Sequence, residues 1–239
     1  VPANGTVVLL MHMDVSSPAF VDETGKTVTT VGNPTTNTTP LPFSGGNTAA
    51  GYFDGTGDYL QLANSTDFAF VSGEFTVEMW VRPTTLANKT LYAKRTTSSG
   101  FSPLLISTLV TGAVQVSISA TGSSYGLVLT SSGAGKMLVA GTYSHIAVTS
   151  IGGWIYLYVN GLLAASGARP GSFLVTNSAP LCIGADTNGL SFAGHIDEIR
   201  VVKGAAKYLG DFTPPNFAHL QYGVTAEFGI TTSSSAVFP

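Results

Sequence analysis

Apolar and polar residues alternate along residues 75–82, and this is the clearest structural signal in the chain. The apolar set is Phe75, Val77, Met79 and Val81, and the intervening set is Thr76, Glu78, Trp80 and Arg82. Side chains that repeat every two residues share one face of a β-strand. We therefore predict a central strand whose four apolar side chains are buried in the core of a sandwich.

Similar short apolar runs, separated by turn residues, continue along most of the chain. The predicted strands cover 6–13, 28–31, 59–62, 75–82, 90–94, 104–108, 114–120, 125–129, 145–151, 154–159, 162–165, 180–184 and 194–202. The pairs at 152–153 (Gly-Gly) and 160–161 (Asn-Gly) predict tight hairpin turns. Residues 204–208 predict one helical turn. So many short strands at regular spacing are typical of an all-β, two-sheet antiparallel sandwich.

Six phrases, in chain order, resemble one known family. They are Met-His-Met-Asp (11–14), Gly-Tyr-Phe-Asp-Gly-Thr-Gly-Asp-Tyr-Leu (51–60), Gly-Glu-Phe-Thr-Val-Glu-Met-Trp-Val-Arg-Pro (73–83), Tyr-Ser-His-Ile-Ala-Val (143–148), Tyr-Leu-Tyr-Val-Asn-Gly (156–161) and Phe-Ala-Gly-His-Ile-Asp-Glu-Ile-Arg-Val (192–201). The chain resembles the laminin-G-like jelly rolls of the concanavalin A-like lectin/glucanase superfamily, in the version common in phage and bacterial surface proteins. The resemblance implies one jelly-roll domain over residues 1–216. Because this fold carries lectins, glycosidases and structural modules, it does not by itself select a function.

Composition narrows the classes of partner. Only 10% of the 239 residues are charged, the formal net charge is −3, and the ten basic residues form no cluster. A nucleic-acid surface needs clustered Lys and Arg, so we expect no nucleic-acid partner. No apolar run is long enough for a membrane helix. The single cysteine, Cys182, excludes an intramolecular disulfide, and because the chain begins at Val1 we expect a processed terminus or a piece of a longer protein.

Two carboxylates on one strand face would be the mark of a glycosidase. The glucanase relatives carry Glu-x-Asp-x-x-Glu on a strand, whereas this chain has Glu74 and Glu78 four residues apart with Thr76 between them. The pattern is incomplete, so we expect no catalytic residues and no enzymatic activity. We expect Glu78 instead to pair with Arg82 or with a neighbouring strand.

Two His-x-Asp pairs stand near the two ends of the predicted sandwich, at His12 with Asp14 and at His195 with Asp197. The first and last strands of a jelly roll usually lie side by side, which could bring the four side chains together. In the glucanase relatives, the aspartate that matches Asp197 binds a structural calcium ion. The resemblance therefore implies calcium on Asp197 and Asp14, and carboxylate oxygens suit that ion better than zinc. The alternative is an Asp197–Arg200 ion pair.

Aromatic residues gather on the polar faces of two predicted strands, where they could stack against sugar rings. The candidate carbohydrate-binding residues are Trp154, Tyr156, Tyr158, Trp80 and Arg82. If the aliphatic residues between them point into the core, these side chains face outward. The alternative is that a loop or a neighbouring subunit covers them.

The final segment, residues 217–239, follows Pro214-Pro215 and lies beyond the last phrase of the resemblance. Its apolar residues are Phe217, Leu220, Tyr222, Val224, Phe228, Ile230, Val237 and Phe238, and it contains no Lys or Arg. An apolar tail of this kind needs a cover. We predict an assembly arm that binds another subunit or another virion protein, with folding back on the same sandwich as the alternative.

Together these features favour a non-enzymatic virion structural or adhesion protein, such as a phage tail-fibre or capsid-decoration component, with a surface glycan as a possible ligand. We expect it to be homo-oligomeric and located in a virion. A carbohydrate-binding module of a secreted bacterial protein, extracellular or on the bacterial surface, is the second hypothesis. A glycoside hydrolase is the third.

Overall fold

The alternating segment is a central strand in the computed structural model, which describes residues 5–14, 20–71, 73–95, 100–171, 177–186 and 189–219. Phe75, Val77, Met79 and Val81 are each 0% exposed. The prediction of a buried strand face is therefore confirmed. These four side chains lie among the apolar residues that fill the space between two sheets.

The described residues form fifteen strands and one short 3₁₀ helix. The strands are β1 Thr6–Met11, β2 Val28–Val31, β3 Thr35–Asn37, β4 Ala50–Asp54, β5 Tyr59–Leu62, β6 Phe75–Pro83, β7 Lys89–Ala93, β8 Leu104–Thr108, β9 Val114–Ile118, β10 Leu127–Thr130, β11 Ser144–Ile151, β12 Trp154–Val159, β13 Leu162–Ala168, β14 Leu181–Ile183 and β15 Ala193–Lys203. The 3₁₀ helix, Thr66–Phe68, begins after Ser65, whose side chain accepts a hydrogen bond from the Asp67 N–H and so caps the helix.

The strands form two antiparallel sheets that pack face to face. Sheet I has eight strands in the order β13-β12-β11-β6-β15-β4-β3, with β1 also paired to β15. Sheet II has seven strands in the order β10-β9-β8-β7-β14-β5-β2. Seven of the thirteen strand pairs join strands that are not consecutive in sequence, as in a jelly roll, so the two-sheet antiparallel prediction is confirmed. The first and last strands do lie side by side.

The two predicted hairpin turns have the backbone conformation that their sequences require. Gly152 and Gly153 have φ of 57° and 80°, and Asn160 and Gly161 have φ of 53° and 77°. Positive φ at both central residues is the mark of a type I′ turn, which suits the twist of the flanking strands. Gly161 is also required by packing, since a Cβ atom there would lie 1.9 Å from the Phe212 carbonyl oxygen.

Two irregular segments cover part of the outer face of sheet I. We name residues 38–49 the cover loop and residues 204–219 the C-terminal strap. They meet where Gly45 and Phe217 form an isolated parallel bridge, and the Ala218 N–H donates to the Gly45 carbonyl at 3.1 Å. Of the predicted arm, residues 217–219 thus contact the sandwich, and residues 220–239 lie outside the described part of the chain.

The start of the strap is irregular rather than helical, so the prediction of a helical turn at 204–208 is wrong. The Thr76 hydroxyl donates to the Ala205 carbonyl at 3.0 Å and accepts from the Lys207 N–H at 2.9 Å. The Gly204 N–H donates to the Glu74 carbonyl at 2.7 Å. The backbone of this segment therefore makes its hydrogen bonds to Glu74 and Thr76 instead of within a helical turn.

Candidate carbohydrate-binding surface

Glu78 is the centre of a buried polar cluster between sheet I and the strap. Its Oε1 accepts a hydrogen bond from Arg200 Nε at 2.7 Å, and its Oε2 lies 2.6 Å from the Tyr208 hydroxyl and 3.2 Å from His145 Nε2. The side chain of Glu78 is 0% exposed. The expected pairing with a neighbouring strand is confirmed, and the partner is Arg200 on β15 rather than Arg82.

Burial alone would raise the pKa of Glu78, but the charge of Arg200 and the hydrogen bond from His145 outweigh burial and lower it. The lowered pKa favours the ionised form of Glu78, and its side chain is buried away from solvent. A general acid must reach the substrate and release its proton near the working pH, and Glu78 meets neither condition. This cluster stabilises the packing of the strap on the sheet.

Two aromatic side chains of the strap cover part of the predicted sugar surface. Tyr208 and Phe212 stack on each other with ring centroids 3.6 Å apart, and the Phe212 ring packs against Tyr158 at 5.5 Å. Tyr158 is 1% exposed as a result. Tyr158 lies on the outer face of its strand as predicted, but the strap covers its ring, so the prediction that Tyr158 is open to a sugar is wrong.

Trp80 and Arg82 lie on the outer face of sheet I as predicted, but both already have neighbours. The Trp80 ring packs edge-on against Phe43 of the cover loop at 6.1 Å and against His145 at 5.2 Å. Arg82 Nε donates to the Gly141 carbonyl at 2.9 Å. Both side chains are only partly exposed, so a ligand could contact an edge of the Trp80 ring and part of Arg82 but could not stack on either one.

Trp154 and Tyr156 are the predicted aromatic residues that remain open. Trp154, the first residue of β12, is 46% exposed, and Tyr156 is partly exposed and stacks against Tyr158 with centroids 6.5 Å apart. Their cross-strand partners on β13 are Ala168 and Ser166, both small and exposed. Small partners leave the aromatic rings uncovered, so this pair offers the flat apolar surface on which a sugar ring can stack.

The two predicted calcium ligands hold the cover loop against the sheet. Asp14 Oδ1 accepts from the Thr48 N–H at 2.7 Å, from the Thr48 hydroxyl at 2.8 Å and from the Ala49 N–H at 3.1 Å. Asp197 Oδ2 accepts from Asn47 Nδ2 at 2.5 Å, and its Oδ1 accepts from the Glu198 N–H at 2.9 Å. The two acids therefore bind three consecutive residues, 47–49. The alternative Asp197–Arg200 pair is absent, since Arg200 binds Glu78.

The chemistry of this corner fits a hard cation in part. Burial, with smaller contributions from Glu198 and Asp14, raises the pKa of Asp197 to about 8, although the hydrogen bond from Asn47 opposes the shift. Asn47 Oδ1 is buried and has no hydrogen-bond partner. An ion that binds oxygens would stabilise both groups. The segment 47–49 is nevertheless already fixed by hydrogen bonds, so calcium stays a prediction.

The two histidines do not join the acids in a common metal site. His12 Nδ1 pairs with Glu198 Oε1 at 2.8 Å, and His195 Nε2 lies 3.2 Å from Asn37 Nδ2. No group of three or more His, Cys, Asp or Glu side chains with metal-binding geometry occurs among the described residues. The His-x-Asp spacing therefore does not mark a shared metal site, and each histidine is bound to a different neighbour.

The covering of sheet I by the strap and the cover loop leaves little trace in local sequence patterns. Tyr208 and Phe212 were placed in a segment that follows the last predicted strand, and their partners Glu78 and Tyr158 are many residues away. The one available signal was the spacing of these two aromatic residues just before Pro214-Pro215, which predicts a packed segment rather than a free linker.

No helix in the described ranges is both long enough and apolar enough to cross a membrane.

Several solved structures share this fold at low sequence identity. The binding domain of Paraclostridial mosquitocidal protein 1 matches with a TM-score of 0.67 and 13% identity over 84% of this chain and 49% of that chain. The binding domain of botulinum neurotoxin DC in complex with SialylT matches with 0.60 and 13%, over 84% and 48%. This chain thus spans about half the length of the toxin domains it matches, and the likeness concerns the fold alone.

A structure of more similar size comes from a carbohydrate-active protein. Domain 4 of AbnA, a GH43 extracellular arabinanase from Geobacillus stearothermophilus in complex with arabinotriose, matches with a TM-score of 0.56 and 18% identity, over 86% of this chain and 96% of that chain. No curated protein sequence is significantly similar to this chain. The family model of the laminin G type matches residues 54–207. The chain therefore belongs to the concanavalin A-like lectin/glucanases superfamily.

Proposed function

We propose that this chain is a non-enzymatic glycan-binding module that serves as an adhesion component of a virion. The observation that carries the proposal is the open aromatic pair, Trp154 and Tyr156, beside the small residues Ser166 and Ala168 on sheet I. Covering the exposed indole of Trp154 with a ligand would remove apolar area from water, which is favourable. A sugar ring has one apolar face and a polar rim, which suits this surface.

The absence of enzymatic activity is supported by the environment of the strand carboxylates. Glu78 is fully buried in its ion pair with Arg200, and Glu74 lies before β6 rather than within it. Hydrolysis of a glycosidic bond needs two accessible carboxyl groups about 5–10 Å apart. We expect no new reducing ends when the protein is incubated with a panel of β-glucans and arabinans. Release above the level of a heat-denatured sample would contradict this part of the proposal.

The virion setting rests on the resemblance to phage surface jelly rolls and on the low-charge, hydroxyl-rich composition.

A second candidate, a carbohydrate-binding module of a secreted bacterial protein, is favoured by one finding. The domain of the arabinanase that this chain resembles is matched over 96% of its length and is in complex with arabinotriose. The two settings differ in ligand, because an adhesion protein binds cell-surface glycans and a polysaccharide module binds plant or storage polymers.

An array that carries both bacterial cell-surface glycans and plant polysaccharides tests the proposal. We expect the chain to bind cell-surface glycans, and we expect Trp154→Ala to weaken binding about tenfold, since stacking and burial on an indole contribute about 1–2 kcal/mol. Val139→Ala is the control, because Val139 is an exposed apolar residue, 58% exposed, that is not among the candidate carbohydrate-binding residues. Binding to arabinan alone would select the second candidate, and unchanged binding by Trp154→Ala would contradict the proposed site.

A further inference from the structure

A second polar site lies on the outer face of sheet II, away from the aromatic pair. The inward residues of β8 and β9 are apolar, so Leu105, Ser107 and Gln115 face outward. They line a depression of about 230 Å³ together with Thr90, Arg95 and Leu190. This volume is below the roughly 300–1,000 Å³ of sites for drug-sized ligands, so it suits a single sugar ring.

The depression contains a buried cation with unused hydrogen-bonding capacity. The Arg95 side chain is 9% exposed and pairs through Nη2 with Asp186, which also accepts from the Thr90 hydroxyl at 2.9 Å. Arg95 Nε is buried and has no hydrogen-bond partner. An unpaired buried donor costs free energy, and a ligand acceptor would recover that cost.

The other lining groups define the chemistry of that ligand. Ser107 and Gln115 offer a hydroxyl and an amide, which can bind the hydroxyl groups of a sugar. Leu105 and the 37% exposed Leu190 supply apolar surface. Lys89 lines the same depression and forms no ion pair among the described residues, so the site carries one positive charge after Arg95 and Asp186 cancel.

We propose that this depression on sheet II binds a sugar that carries a carboxylate, with the carboxylate bound at Arg95 and the hydroxyl groups at Gln115 and Ser107. A charged acceptor on Arg95 forms a stronger hydrogen bond than a neutral one. Mixed apolar and donor groups in a small depression select a ring over a simple anion. The site is separate from Trp154 and Tyr156, so it stands or fails independently of the proposed function.

Side-chain ¹H–¹⁵N NMR of the full chain tests this site directly. The Arg95 Nε–H signal is assigned by its loss in Arg95→Lys, and methyl β-glucuronide is then titrated against wild type. We expect a saturable shift of that signal, and no saturable shift with methyl β-glucoside, which has the same ring without the carboxylate. No movement of the Arg95 signal with the glucuronide would overturn the proposal.

Two further arms separate a sugar site from a bare anion site and from a global effect. Sodium acetate at equal concentration gives the same shift only if a simple anion is bound, which would also overturn the proposal. Gln115→Ala should weaken glucuronide binding about fivefold, the effect of one hydrogen bond. Gln61→Ala, which changes the same residue type on β5 of the same sheet, should leave the affinity unchanged. Equal weakening by both variants would contradict the assignment of Gln115.

Discussion

At the scale of single residues, the buried cluster under the strap places an ionised glutamate beside a neutral histidine. Glu78 Oε2 and His219 Nε2 are 3.8 Å apart, and both side chains are buried. Arg200 neutralises Glu78, which stays ionised. The charge of Glu78 does not offset the burial of His219, so the pKa of this histidine is lowered and its neutral form is favoured. The packing of the strap on sheet I thus depends on the Glu78–Arg200 ion pair and on a neutral His219.

The pKa of His219 predicts a loss of stability in acid. Burial lowers this pKa to about 3; the charge of Glu78 opposes the shift, and Arg200, His145 and His12 add to it. The unfolded chain takes up the His219 proton near pH 6.5, whereas the folded chain resists it down to about pH 3. Stability from this group is therefore complete above pH 6.5 and is lost as the pH falls toward 3.

Urea unfolding at pH 7 and pH 5 measures this effect. We expect the wild-type chain to lose about 2 kcal/mol more than His219→Gln between the two pH values. The backbone N–H of residue 219, which donates to Glu198 Oε2 at 2.9 Å, is kept in the variant. His195, whose pKa burial lowers to about 4, contributes equally to both proteins and cancels in the difference. An identical pH dependence in both proteins would contradict the lowered pKa of His219.

Local sequence patterns predicted which residues are buried in the core, but they predicted the exposure of the candidate carbohydrate-binding residues only in part. The alternation at Phe75, Val77 and Met79 contains all the information needed to bury one face of a strand. The burial of Tyr158 depends on Phe212, which lies 54 positions later in the sequence. A contact over that distance leaves no periodic signal near either residue, so the outward position of Tyr158 was correct for the strand and its exposure was not.

At the scale of elements, the cover loop has no regular secondary structure over residues 47–49 and is held there by two buried or half-buried acids. Asp14 follows β1 and Asp197 lies within β15, so one irregular segment is attached to two neighbouring strands. The strand pairing was predictable from the order of the phrases. The role of the acids was not, because the Thr48 and Asn47 groups that bind them lie in a segment rich in Thr, Asn and Gly with no strand pattern.

The resemblance to glucanases leaves calcium at this corner as a prediction about the cover loop. We expect a concentration-dependent rise in melting temperature in millimolar calcium chloride relative to EDTA, because a ligand that binds only the folded state stabilises it. Asp197→Asn should abolish the rise, and Asp211→Asn, which changes an acid of the strap, should retain it. Equal melting temperatures with calcium and with EDTA would exclude a structural ion.

At the scale of the whole molecule, the C-terminal strap divides the predicted arm into two parts. Ala218 and His219 bind the cover loop and Glu198, whereas Phe217 is 50% exposed. The start of the arm thus folds back on its own sandwich, as the alternative to the assembly arm foresaw. The assembly role remains a proposal for residues 220–239.

Two truncations separate these parts. A chain that ends at His219 keeps every described contact of the strap, so we expect an unchanged melting temperature and a loss of self-association. A chain that ends at Asn216 also loses the bonds to Gly45 and Glu198, so we expect it to melt several degrees lower. Calorimetry and light scattering measure the two properties. Normal assembly of the His219 chain would contradict the arm.

The path of the strap also gives the sandwich a front and a back. The described chain ends at His219 on the sheet I side, while the Arg95 depression opens on the other side, with both sheets between them. Copies joined through the residues beyond His219 would present several sugar sites at once, on both sheets, and weak single-sugar contacts could then add up to firm attachment.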